Sequence, residues 1–136
     1  MRKTTMFLAS LFVLSSPRAF AANECWAVSV PKGYSAYADQ NYNFVEDGLP
    51  NPILVCFGTD TGTVTGTDTQ LVKFGNSTLA GYATNQGIEL FEVYQIDRIN
   101  SKLLYTKSRI GTKTAFPLFS DLVSSFIGDA KMLPAK

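Results

Sequence analysis

The sequence predicts a mainly β fold: a small antiparallel sheet or partly closed β-barrel carrying one C-terminal amphipathic α-helix. Three observations lead there. Short apolar and β-branched runs recur between turn residues, as in Ile53-Leu54-Val55-Cys56-Phe57 and in the stretch Ile88 to Ile110. No alternation of strand and helix patterns appears, which argues against a parallel sheet. One segment near the end, Phe119, Leu122, Val123, Phe126, Ile127 and Ala130, repeats at helical spacing.

Taken in order, the first element is a predicted secretory leader, residues 1–21. Arg2 and Lys3 precede the apolar run Met6-Phe7-Leu8-Ala9-Ser10-Leu11-Phe12-Val13-Leu14, and Ala19-Phe20-Ala21 has the small-x-small cleavage pattern. The apolar run is shorter than the roughly 20 residues a bilayer span needs, and no second long run follows, so no membrane span is expected. Residues 22–136 are expected to form a single β-rich domain with a periplasmic or secreted location. Asn23 and Glu24 before Cys25 do not suit lipid attachment, which points to a soluble product.

Of the 12 basic residues, Arg2, Lys3 and Arg18 fall in the leader, leaving nine against 11 acidic ones. No basic patch stands out, and no nucleic-acid partner is expected. The two cysteines, Cys25 and Cys56, are predicted to pair, because an exported chain meets an oxidising compartment. A loop of this length is worth roughly 3–4 kcal/mol in the chain-entropy picture.

Trp26 to Val30 reads as a short strand ended by Pro31 and Gly33. Residues 31–52 read as a long irregular loop, rich in glycine and proline, closed by the disulfide. Its aromatic residues Tyr34, Tyr37, Tyr42 and Phe44 are the candidate binding group, since tyrosine gives wide contact area and a polar tip at little entropic cost. The alternative is that these rings pack the loop onto the sheet. Gly58-Thr59-Asp60-Thr61 recurs as Gly66-Thr67-Asp68-Thr69, an offset that suits turn, strand, turn. Gln70 to Phe74 and Thr78 to Ala83 are strands, with turns at Gly75-Asn76 and Asn85-Gln86-Gly87.

The clearest hairpin runs from Ile88 to Ile110. With a loop at Ile99-Asn100-Ser101, Ile96 faces Leu104, Tyr94 faces Thr106 and Leu90 faces Ile110. A slip of one residue would reverse one strand's faces. In this register the second face carries Phe91, Val93, Leu103 and Tyr105, and the C-terminal helix is the natural cover for it. Glu92 falls on the buried face.

There is no histidine, which removes Ser-His-Asp and Cys-His nucleophile systems and histidine-ligated zinc. The glycines at 58, 62 and 66 lack the ending of a phosphate loop. Asp60 and Asp68 lack EF-hand spacing. No catalytic residue, metal or other cofactor is therefore expected.

In size and layout the chain is similar to small disulfide-tied β-proteins of the bacterial envelope, such as periplasmic lysozyme inhibitors. Their motif is missing, so the likeness carries over no residue. The expectation is an exported, non-enzymatic binding module for a protein or envelope component. Two alternatives are a small-ligand carrier with an apolar barrel interior and a carboxylate hydrolase built on Glu92.

Overall fold

A computed structural model describes residues 23–112 and 120–135; the predicted leader, residues 1–21, lies outside them. Ten strands follow in order: β1 (Glu24–Val28), β2 (Lys32–Tyr37), β3 (Phe44–Gly48), β4 (Ile53–Phe57), β5 (Thr61–Val64), β6 (Leu71–Phe74), β7 (Thr78–Asn85), β8 (Ile88–Asp97), β9 (Lys102–Ile110) and β10 (Leu122–Met132). All neighbours are antiparallel. The strands β1, β4, β5, β6, β7, β8, β9 and β10 form a ring that closes because β10 pairs back onto β1. This is an eight-stranded barrel. Closure removes the open edges within the ring, while β2 and β3 extend the sheet beyond it and leave β3 as an edge.

Residues 31–52 are not an irregular loop, as the glycine and proline content predicted. They supply β2 and β3, joined by a 3-10 turn at Ala38–Gln40. The arm β1–β2 and the arm β3–β4 are two bent strands paired along their length, from Glu24↔Phe57 to Ala36↔Phe44. The bend falls at Pro31, whose carbonyl accepts from the Leu49 N–H at 3.0 Å. Beyond the bend, β2 runs beside the first half of β10 while β3 ends the sheet. Gly33 is a packing requirement: a Cβ there would lie 1.9 Å from the Ser125 carbonyl oxygen.

The predicted C-terminal helix is overturned. Residues Leu122–Met132 form β10, with burial alternating strictly from Leu122 to Ala130. The spacing misled for a plain reason. Leu122, Phe126 and Ala130 are four apart, a distance shared by one helical turn and two strand pleats. Val123 and Ile127, which the helical stripe needed inside, point outward at 45% and 56% exposure. Phe119, the first residue of that stripe, lies outside the described residues.

The hairpin β8–β9 is shifted by one residue from the predicted register. Ile96 pairs with Leu103, Tyr94 with Tyr105 and Glu92 with Lys107. The connection is four residues, 98–101, not three. Asp97 sets it: its Oδ1 accepts from the backbone N–H groups of Ile99 (3.1 Å) and Asn100 (3.0 Å), and Ser101 takes a left-handed conformation with φ 53°. The shift turns Leu103, Tyr105, Lys107 and Arg109 inward. Strand β10 lies beside β9 in the same sheet and does not cover the outer face, where Phe91 and Ile110 stay exposed.

The predicted disulfide is present. Cys25 and Cys56 are directly opposed on β1 and β4, so the bond staples the two bent arms together. At the same end of the barrel Arg98 pairs with Glu24 at 2.7 Å and lies over the Trp26 ring. The threonine-rich segment holds β5 between two turns, as its repeat predicted.

Candidate functional site

The interior is layered by the register. At the end near the disulfide, Trp26, Val28, Val55, Phe57, Ile96 and Leu103 fill the barrel with apolar side chains. Next comes a ring layer in which Tyr94 and Tyr105, opposed across β8–β9, stack with centroids 4.3 Å apart, and Phe126 tilts against Tyr105. The third layer is polar. Glu92, Lys107, Ser124 and Ser35 occupy consecutive paired positions across β8, β9, β10 and β2. An unpaired buried polar atom is costly, so the buried members of this row, Glu92, Ser124 and Ser35, are hydrogen-bonded, while Lys107 is half-buried beside them.

Glu92 is 3% exposed and is held by three hydroxyls. Tyr105 Oη donates to Oε1 at 2.7 Å and Tyr94 Oη to the same oxygen at 3.2 Å. Thr67 Oγ1, reaching in from the β5–β6 connection, donates to Oε2 at 2.8 Å. Burial, reinforced by the Glu92 charge, raises the pKa of both tyrosines above the ordinary value of 10.0. They therefore remain neutral donors. Ser35 and Ser124 hydroxyls bond each other at 2.6 Å.

Above this layer Tyr37 turns inward and donates to Asp47 Oδ2 at 2.5 Å. Burial acts to raise the Asp47 carboxyl. The Tyr37 and Ser35 hydroxyls and the Gly48 N–H outweigh it and hold the group below the ordinary carboxylate value. Lys107 sits among these groups. Burial lowers its pKa, Arg109 adds to that, and the charges of Glu92 and Asp47 oppose it.

Beside the polar layer the wall parts. β4 and β5 stay paired as far as Leu54 and Thr65, whose backbone groups bond at 3.1 Å. Beyond that the β3–β4 bend and the β5–β6 connection separate. A cavity of about 330 Å³ opens there, lined on one side by Leu49, Pro50, Pro52, Ile53 and Val64 and on the other by Glu92, Tyr94, Tyr105 and Lys107. An eight-stranded barrel is wide enough either to fill itself with side chains or to hold one small ligand. Here the apolar half is filled and the polar half is partly open.

The four aromatic residues singled out in the sequence are divided by the structure. Tyr37 is half-buried and hydrogen-bonded to Asp47. Tyr34 and Phe44 stand diagonally on the outer face of β2–β3, Phe44 at 74% exposure, and Tyr42 is exposed in the turn between them. Sequence reasoning placed Glu92 inside and missed Lys107, Tyr105, Asp47 and Thr67 as its company. The signal for two of them was available: a turn opening at Asp97 sets the register that puts Lys107 opposite Glu92 and Tyr105 opposite Tyr94.

Compared with protein-family models, curated proteins and solved structures, the chain matches none.

Proposed function

We propose that this is an exported, non-enzymatic binding protein whose barrel interior holds one small molecule. The observation that carries the reading is the cavity of about 330 Å³ between the β3–β4 bend and the end of β5, apolar on one wall and polar on the other. Its size lies at the lower end of the roughly 300–1,000 Å³ typical of small-molecule sites. The mix of apolar wall and a few placed polar groups is the usual make-up of such sites. The ligand is amphipathic rather than the wholly apolar molecule that a greasy barrel interior would select. Both Glu92 oxygens already accept hydroxyl hydrogens, which suits a structural and orienting role better than proton transfer. The disulfide is compatible with an oxidising, exported location.

An amide NMR titration with small amphiphiles of about ten heavy atoms, namely octanoate, 1-octanol and octylamine, tests this. Saturable shifts with at least one of them, concentrated at Asn51, Ile53, Val64 to Gly66, Tyr94 and Tyr105, are expected. Shifts spread over the outer face around Phe91 and Ile110, or no saturation with any, would overturn it.

A second reading concerns a protein or envelope component as partner. It is favoured by the exposed aromatic residues Tyr34, Tyr42 and Phe44, grouped on one hairpin. A pull-down from envelope extract whose captured partner is lost with the Tyr34→Ala/Phe44→Ala variant would support it. Capture unchanged by those substitutions would refute it.

A further inference from the structure

Lys107 lines the cavity yet makes neither a hydrogen bond nor an ion pair to any described residue, although Glu92 stands opposite it in the register. The charges of Glu92 and Asp47 act on it, but its charged neighbours make their hydrogen bonds to other groups. Glu92, from β8, is taken up by Tyr94, Tyr105 and Thr67. Asp47, from β3, accepts from Tyr37 and from the Gly48 N–H. Arg109, further along β9, donates to the Ser120 carbonyl. Ser124, paired with Lys107 from β10, shares its hydroxyl with Ser35. Its ammonium is half-buried, and this partial loss of water lowers its pKa although the charges of Glu92 and Asp47 act the other way.

An anionic acceptor entering the cavity would relieve that cost. One ammonium, with two carboxylates nearby, favours a singly charged group over a phosphate dianion. The wall of Leu49, Pro50, Pro52, Ile53 and Val64 favours an apolar body. A volume of about 330 Å³ equals roughly ten water molecules at liquid density. We infer that the site binds a small amphipathic carboxylate of about ten heavy atoms, its head on Lys107 Nζ and its body against the proline-lined wall. This rests on the small-molecule reading above and adds the chemical class of the ligand.

The test compares octanoate, 1-octanol and octylamine by calorimetry, on the purified protein and on Lys107→Met, with Lys107→Arg as a charge-keeping control. Octanoate should bind about tenfold more tightly than either of the others, as expected when one charge-assisted hydrogen bond is gained. Lys107→Met should remove that advantage and leave 1-octanol binding nearly unchanged, while Lys107→Arg retains a preference for octanoate. The preference should also fade as pH rises through the depressed lysine pKa, below the ordinary 10.5, with 1-octanol unaffected. Equal binding of octanoate and 1-octanol, or tightest binding of octylamine, overturns the carboxylate inference and leaves the small-molecule reading standing. No saturable binding of any of the three removes both. The comparison of ligands on the unmodified protein decides the matter even if a variant folds poorly.

Discussion

Replacing Tyr105 by phenylalanine removes one hydroxyl and leaves the ring stacked on Tyr94. That hydroxyl donates at 2.7 Å to a carboxylate that is 3% exposed. A hydrogen bond to a charged group contributes about 1.5–3 kcal/mol, and a buried acceptor that loses its donor is left under-solvated. Tyr105→Phe should therefore destabilise the protein by about 2 kcal/mol. Tyr94→Phe, whose bond to the same oxygen is longer at 3.2 Å, should cost about 1 kcal/mol. Urea unfolding followed by circular dichroism measures both, with the slope m unchanged if the unfolded state is unaffected. The decisive quantity is the double-mutant cycle with Glu92→Gln. Tyr105 and Glu92 should show a coupling of about 1 kcal/mol or more, whereas independent sites add to within about 0.3–0.5 kcal/mol. Additivity within that margin would refute the idea that Glu92 is a charge held in place by tyrosine hydroxyls.

Replacing Cys25 and Cys56 together by alanine should lower stability by about 3–4 kcal/mol, from the loop entropy returned to the unfolded chain, read as a drop in the urea midpoint. Leu103→Ala should cost about 2–5 kcal/mol and Leu104→Ala about 0.5 kcal/mol or less, since Leu103 is 0% and Leu104 41% exposed. Equal costs would contradict the β8–β9 register. Tyr94 and Tyr105 have folded pKa values raised above the unfolded 10.0. The stability tied to them is complete below the unfolded value and is lost above it, as the unfolded chain ionises first. Absorbance at 295 nm should show these tyrosines titrating only with unfolding; reversible titration near 10 in the folded state would disprove their burial.

The legible parts of the fold are those where one period dominates. Ile53 to Phe57 and Leu71 to Phe74 are apolar runs bounded by turn residues, and each is a strand with nearly the predicted limits. The disulfide followed from the even cysteine count and the expectation of export. The C-terminal segment was misread because Leu122, Phe126 and Ala130 fit both periods. The residues that break the tie, Ser124 and Gly128, are small or polar inside the barrel, where an apolar side chain was expected. In residues 31–52 the glycines that suggested disorder of pattern are there for close backbone approach, as at Gly33. The candidate site was half legible for a similar reason. Glu92 faces inward in either register, but the inward turn of Tyr105 and Lys107 depends on whether the β8–β9 connection has three residues or four. That is decided by two backbone hydrogen bonds accepted by one aspartate, Asp97.

The short seam between β1 and β10 joins residues 26–28 to residues 130–132. Folding must therefore begin without its final closure. The bent arms β1–β2 and β3–β4 lie near each other along the chain and can zip up early, with oxidation of Cys25 and Cys56 locking that half. The ring is sealed when the last strand finds the β1–β2 arm, pairing with β2 and then β1 across almost the whole described chain. Such distant pairing slows assembly and leaves strand edges open in the meantime. A chaperone that shields β10 until β1 is in place would raise the yield of refolded protein, and tethering the two ends by circular permutation would speed the slowest step.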